Sequence, residues 1–425
     1  MHRFEYRGNE FYCEDARVSE IAKKVGTPFY LYSIGTFLDH FHKLRDAFAP
    51  ANPLICFSVK ANSNLTVLKA LVSHGSGLDV VSGGELYRAK KVGVKPEKIV
   101  FASVGKTASE IEQAVRAGIL MFNVETIQEL DVINSVATKL KKIQKVAIRL
   151  NPDVAPDTHH YISTGVKHSK FGIDMVTAYR LYTDSMRYPS LRFAGVHIHI
   201  GSQITESAPF VKAIKKALDF IDRVRAAGNP IQYLNIGGGL GIVYSKEKPQ
   251  TAKEFAAAVL PLFKKHDLGR GLKIILEPGR FISGNSGILV TKVIYEKVTP
   301  AKSFVIVDGG MNDLIRPSLY GAHHEILPVV KRPGRRAIAH ADVVGPVCES
   351  GDFLAKDRKL EAAGVGDLLA VMSCGAYGFV MSSNYNSRPR VPEIVVRGRR
   401  FFVARRRETL EDLTRNEVIV SGAVK

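Results

Sequence analysis

A chain of 425 residues, 45% hydrophobic and 24% charged, can bury a large core but is too long for a single one, so two domains are expected. No apolar run approaches the roughly 20 residues of a spanning helix, and Met1-His2-Arg3-Phe4-Glu5-Tyr6 lacks a secretory signal's apolar stretch; both argue for a cytoplasmic protein and against a membrane one. The net charge of +19 invites a nucleic-acid reading, but only Phe401-Phe402 interleaves with the basic residues and in a strand one of the two would point inward, so specific nucleic-acid binding is not expected; the four scattered cysteines, Cys13, Cys56, Cys348 and Cys374, form no disulfide framework.

In chain order, short β-rich runs fall at Leu54–Val59, Leu78–Val81, Ile99–Ala102, Leu120–Val124, Val146–Leu150, Phe193–Ile200, Tyr233–Ile236 and Lys273–Leu276. Helical spacing of apolar residues separates them at Thr107–Ala117, Thr126–Lys141, Ala208–Ala227 and Ala252–Lys265. Eight alternating units predict a TIM-like (β/α)8 barrel, whose active site belongs at the C-terminal strand ends. Polar residues stand there: Lys60, Asp79, Ser82, Ser103, Glu125, Arg149, Asn151, His199, Gly237-Gly238-Gly239 and Glu277.

Lys60 ends the first run, where desolvation lowers an amine's pKa and makes it nucleophilic, as Schiff-base chemistry requires. The ordinary alternative is an edge lysine that snorkels to water. In the sixth run, alternation turns His197 and His199 inward while Val196, Ile198 and Ile200 face the helices. No further ligands suggest a metal site, whereas a flat imidazole can cover a planar cofactor. Gly237-Gly238-Gly239-Leu240-Gly241 follows the seventh run, where its backbone can approach an anion. After the eighth, Glu277-Pro278-Gly279-Arg280 offers a carboxylate for a ring nitrogen and a guanidinium fork for a carboxylate or phosphate.

Beyond Ser283 the pattern becomes extended, at Ile288–Val298, Ser303–Val307, Ala337–Val344, Asp367–Met372 and Pro392–Arg405. An antiparallel β-barrel or sandwich domain is expected over residues 283–425 with strands from 1–27, leaving 28–282 for the barrel. Basic stretches lie at Lys331–Arg336 and Arg397–Arg407. Two loops look chemical: Asp308–Tyr320 and Gly345–Asp352.

These motifs in this order (Phe57-Ser58-Val59-Lys60-Ala61-Asn62, His199-Ile200-Gly201-Ser202-Gln203, Gly237–Gly239, Glu277–Arg280, Asp308–Tyr320, Cys348-Glu349-Ser350-Gly351-Asp352, Ala376-Tyr377-Gly378) resemble the diaminopimelate decarboxylases. That family shares its pyridoxal 5'-phosphate fold type with alanine racemase and eukaryotic ornithine decarboxylase. The resemblance implies that Lys60 anchors the cofactor covalently, His199 stacks on its ring and Glu277 pairs with the ring nitrogen. Ser202, Gly237, Gly238, Gly239 and the Glu277-Pro278-Gly279-Arg280 turn would grip ring and phosphate, and Tyr377 would reach the phosphate. Arg280, Arg316 and Tyr320 would bind substrate carboxylate, Glu349 the distal ammonium, Tyr377 would contact substrate as well as phosphate, and Cys348 would be the acid near the reacting carbon.

The implied reaction is decarboxylation of meso-2,6-diaminopimelate to L-lysine and CO2, the last step of lysine biosynthesis, with Cys348 or Lys60 returning the proton. The implied assembly is a homodimer with shared active sites. No metal, membrane or specific nucleic-acid partner is implied. The alternatives are a decarboxylase of ornithine, arginine or carboxynorspermidine, or a non-catalytic cofactor-binding regulator. In ornithine and arginine decarboxylases resembling this fold an aspartate commonly follows the cysteine, where this chain has Glu349.

Overall fold

The computed structural model describes residues 2–154, 170–266, 271–334, 338–360 and 363–423. It divides into a barrel unit, Phe37–Ser283, and a sheet unit built from Met1–Thr36 and Gly284–Lys425. No helix among the described residues is long and apolar enough to cross a membrane.

Eight parallel strands close the barrel in chain order: Leu54–Ser58, Gly77–Val80, Ile99–Ala102, Met121–Val124, Gln144–Leu150, Leu191–Ile198, Tyr233–Asn235 and Lys273–Leu276. The expected (β/α)8 architecture is the one observed. Its helices begin where side-chain oxygens satisfy free N–H groups. Thr107 forms a capping box with Glu110 ahead of Ala108–Ala117, Thr126 caps Ile127–Lys139, and Thr251 boxes with Glu254 ahead of Ala252–Val259. The last helix gives way to a tighter 3-10 turn over Leu260–His266, where Pro261 lacks the N–H a helix interior needs.

Strand alternation sorts the barrel interior into two layers. Cys56, Gly77, Val100, Met121, Ala147, Gly195, Tyr233 and Ile275 share one parity. Several of them form a closed apolar plug with Leu54 and Leu120. Gly77 and Gly195 make room for it, since a Cβ on either would meet Cys56 Sγ at 2.8 Å or Met121 Sδ at 3.1 Å. Two residues further along the same strands come Ser58, Asp79, Ala102, Asn123, Arg149, His197, Asn235 and Glu277. Register pairs Ser58 with Asp79, Ala102 with Asn123, and His197 with both Arg149 and Asn235. A dry floor thus supports a polar layer at the C-terminal end.

In the sheet unit a nine-stranded sheet runs Phe353–Leu360, Ile338–Val344, Ser303–Val307, Gly287–Val298, Phe29–Ser33, Glu393–Arg397 and Arg400–Arg405, with Leu368–Val371 and Ile326–Pro328 branching from it. The expected antiparallel sheet is mixed: Phe29–Ser33 pairs parallel with Glu393–Arg397, and Ser303–Val307 with Ile338–Val344. The strand Phe29–Ser33, grouped with the barrel on sequence, lies inside this sheet. All five of its residues are buried and both of its edges are paired. The N-terminal residues form a separate three-stranded sheet, Phe4–Arg7, Glu10–Cys13 and Ala16–Arg17, sharing a core with Phe29, Leu31, Ile288, Val290, Ile394 and Val396.

The run Pro392–Arg405, expected as one extended segment, folds into a hairpin turned at Gly398 with φ +59°. Phe401 packs on the core and Phe402 is exposed, as alternation requires. Part of the basic stretch is structural. Arg405 Nε donates to the buried Glu393 carboxylate at 2.5 Å, and Arg407 donates to the carbonyls of Gly26 and Pro28. Arg335 and Arg336 of the other stretch lie outside the described residues.

Candidate active site

Lys60 follows the first barrel strand in a single 3-10 turn, Val59–Ala61, whose other two residues are buried. Its stem is thereby fixed while its amine reaches the barrel mouth. Nζ donates to Asp79 Oδ2 at 3.0 Å, and Ser58 Oγ donates to the same oxygen at 2.7 Å. The lysine side chain is 39% exposed and the aspartate fully buried. Burial pushes the Asp79 carboxyl up, with the Lys60 ammonium pulling against it. Asp79 Oδ1 has no hydrogen-bond partner among the described residues.

Glu277 projects from the end of the eighth strand into the polar layer. Its Oε1 accepts from Asn123 Nδ2 at 2.8 Å and Asn235 Nδ2 at 2.5 Å. Its Oε2 lies 3.3 Å from His197 Nε2, within ion-pair reach but outside hydrogen-bond geometry. Burial alone would raise this carboxyl; His197, the Lys60 charge and the Asn235 amide outweigh it and hold the group well below the usual carboxylate range. Glu277 is therefore a buried anion.

The sixth strand ends at Ile198, so His199 sits just past it, partly exposed, while His197 points inward and is buried. Gly238 N–H donates to His199 Nδ1 at 3.3 Å, and Arg149 Nη2 donates to the His199 carbonyl at 3.3 Å. Burial, with the Arg149 and Lys60 cations, drives this imidazole well below its ordinary pKa, so it is neutral. Arg149 is itself held by a 2.6 Å ion pair to buried Glu125, whose other oxygen accepts from Gly172 N–H.

The glycine run does more packing than the sequence implies. A Cβ on Gly238 would lie 2.1 Å from the Glu277 carbonyl oxygen, and one on Gly239 2.3 Å from the Gly201 carbonyl oxygen. The Gly237 N–H already donates to Asn235 Oδ1, and Gly238 N–H to His199. Only the Gly239 N–H of the three has no partner among the described residues. Pro278 and Gly279 form a buried turn whose carbonyls accept from Ser58 N–H and Ser283 N–H. Buried Arg280 follows, its Nε and Nη2 forked onto Ser202 Oγ at 3.3 and 3.2 Å and its Nη1 donating to Tyr244 Oη at 2.6 Å.

Within the sheet unit, Arg316 opens and Tyr320 closes a five-residue helix capped by Gly321. Asp352 ties that loop to the one carrying Cys348 and Glu349: Oδ1 accepts from Met311 N–H and Oδ2 from Val347 N–H, both at 2.6 Å. Ser318 Oγ adds a bond to the Gly351 carbonyl. Cys348 and Glu349 are exposed; the Cys348 N–H donates to Asn386 Oδ1 at 2.8 Å, and Glu349 Oε1 accepts from Gly351 N–H. Tyr377 adopts φ +56°, unusual for a ring-bearing residue, in the turn after Leu368–Val371.

A family model described as pyridoxal-dependent decarboxylase, pyridoxal binding domain, matches residues 34–284. The chain is 48% identical to the diaminopimelate decarboxylase of Aquifex aeolicus over 96% of this chain and 95% of that one. The chain belongs to the diaminopimelate decarboxylase family. Against the Pseudomonas aeruginosa member the identity is 45% over 99% of this chain and all of the relative. The crystal structure of the Helicobacter pylori diaminopimelate decarboxylase complexed with L-lysine superposes with a TM-score of 0.89 at 42% identity, covering 94% of this chain and 98% of that one. The chain is thus a carboxy-lyase that uses pyridoxal phosphate.

The barrel mouth fits the family's cofactor on its own chemistry. An ionised, buried Glu277 suits a protonated ring nitrogen. A neutral His199 suits a ring face. The Gly239 N–H, Ser202 and Arg280 suit a phosphate, and the lone Asp79 Oδ1 is an acceptor still to be satisfied. Sequence reasoning assigned no role to Asp79, Asn123, Asn235 or Tyr244. The first three could have been found by counting two residues along each strand from the apolar plug; nothing local marks Tyr244.

Proposed function

We infer that this chain decarboxylates meso-2,6-diaminopimelate to L-lysine and CO2, the last step of lysine biosynthesis. The observation that carries the chemistry is Glu277, a buried carboxylate kept ionised by His197, the Lys60 charge and the Asn235 amide, in the same polar layer of the barrel as the Lys60–Asp79 pair. Full-length similarity to diaminopimelate decarboxylases carries the substrate.

Pyridoxal phosphate supplies an electron sink for the pair left behind when CO2 departs. Lys60 is the amine that anchors it, and Asp79 orients that amine. Glu277 keeps a proton on the ring nitrogen, His199 covers one ring face, and Ser202, the Gly237–Gly239 loop, the Pro278-Gly279 turn and Tyr377 hold the phosphate end. Arg280, Arg316 and Tyr320 bind substrate carboxylate, and Glu349 takes the distal ammonium. Cys348 or Lys60 returns a proton to the α-carbon. Arg316 and Glu349 together match a zwitterionic substrate end, where an ornithine-type decarboxylase needs only acidic groups for a lone ammonium.

The exposed Cys348 and Glu349 support a two-fold homodimer in which each chain lends this loop to the other's site. The units then have distinct parts, Phe37–Ser283 binding cofactor and Met1–Thr36 with Gly284–Lys425 completing the site, in a cytoplasmic enzyme. Supplying meso-diaminopimelate, L-ornithine and L-arginine separately and measuring CO2 tests the assignment. Release from the first alone is expected; release only from either of the others overturns it.

A further inference from the structure

Arg316 is gripped by a histidine that no motif singles out. His324 lies four residues beyond the short helix Arg316–Tyr320 and is fully buried. Its Nε2 is 2.9 Å from Arg316 Nη1, and its Nδ1 is 2.7 Å from the carbonyl oxygen of Met372. A guanidinium can only donate and a carbonyl can only accept, so one tautomer satisfies both contacts. The ring is neutral, protonated on Nδ1, with the Nε2 lone pair facing the arginine. Cys374 Sγ packs 3.6 Å from Nδ1. The adjacent His323 is partly exposed and contacts Arg358 and Glu325 instead.

The frame behind the ring is rigid. Met372 directly follows Leu368–Val371, which pairs with Gly287–Val298 and Ile326–Pro328, and its own N–H donates to the Glu325 carbonyl at 2.8 Å. An arginine otherwise carries substantial rotamer entropy, lost on each binding event. Here part of that loss is already taken in the fold.

We propose that His324 is a positioning residue that fixes the Arg316 guanidinium for the carboxylate at the substrate's non-reacting end. This rests on the reading that Arg316 binds that carboxylate. The non-reacting carboxylate survives in L-lysine and is absent from cadaverine, so the two ligands separate this role from general damage.

The test uses the holoenzyme with His324→Phe, which removes both contacts, and His324→Gln, whose amide oxygen can still accept from Arg316. His324→Phe is expected to raise KM for diaminopimelate and weaken L-lysine binding about tenfold or more, with kcat and cadaverine binding changed less than about twofold. His324→Gln should restore most of the L-lysine affinity. Equal weakening of both ligands, or loss in kcat alone, overturns the proposal. Should His324→Phe fail to fold, the 15N shifts of His324 in the unaltered protein decide: a bare Nε2 supports the tether, and a protonated Nε2 overturns it. Arg316→Gln checks the underlying reading separately. If it leaves the L-lysine to cadaverine ratio intact while the 15N shifts show a bare Nε2, the carboxylate assignment fails and the tether stands.

Discussion

Lys60 and Asp79 form a pair of unequal members, one amine open to the mouth and one carboxylate fully enclosed. Replacing Lys60 with Ala should abolish CO2 release, on the order of 10⁴-fold or more, while far-UV circular dichroism and thermal melting stay close to the parent, because the amine is not part of the core. A second residue-scale effect concerns Asp313. Burial pushes its carboxyl up to about 7, against the Gly310 N–H bond that favours ionisation. The fold therefore keeps a proton that the unfolded chain has already released. The resulting stability is present below the ordinary Asp range and is lost as pH rises toward 7. Asp313→Asn should flatten the fall in melting temperature between pH 4 and 7; an unchanged slope refutes the assignment. Lys60, His199 and Glu277 were legible in the sequence because each stands at or just beyond a strand end. His324 was not, since its importance comes from Met372, 48 residues away.

At the scale of elements, the glycine loop after the seventh strand packs its backbone directly against the carbonyls of Glu277 and Gly201. Gly238→Ala would drive a methyl group into the Glu277 carbonyl and must part the seventh and eighth strand ends. A loss of about 1–3 kcal/mol in stability is expected, together with weaker cofactor binding. Chemical denaturation and cofactor titration read the two effects, and parent-like values in both would contradict the packing. The barrel strands could be read as short β-rich runs between helical segments, because strands covered on both faces are apolar on both. Strand partners in the sheet unit could not. The parallel pairing of Phe29–Ser33 with Glu393–Arg397 joins segments from opposite ends of the chain, and no local pattern encodes it. The Gly398 turn was visible as a glycine among arginines, yet the β-rich residues on both sides merged it into one run.

For the whole molecule, the shared-site dimer makes a quantitative demand. Lys60→Ala and Glu349→Ala chains, each inactive alone, should regain about a quarter of parental activity when mixed and allowed to exchange, because half the dimers then carry one intact site. No recovery would place Lys60 and Glu349 of a site on the same chain. Some of the basic side chains hold the fold, Arg407 on the Gly26 and Pro28 carbonyls and Arg405 on Glu393, a pair that adds nothing to the net charge of +19. The remainder gives the surface a field that favours an anionic cofactor over a substrate of no net charge.

The placement of Phe29–Ser33 also sets an order of events during synthesis. This strand leaves the ribosome early, yet one of its edges waits for Glu393–Arg397. At roughly 5–20 residues per second, about 20–70 seconds separate the two. Meanwhile residues 37–283 have all been made, so the barrel has time to close first while an apolar strand stays unpaired on that side. Nascent chains stalled near residue 390 should be cut readily by protease around Phe29–Ser33 and resist it through the barrel. The enzyme's vulnerable interval thus lies between the strand Phe29–Ser33 and the last hairpin, and a chaperone acting on it has that one edge to guard.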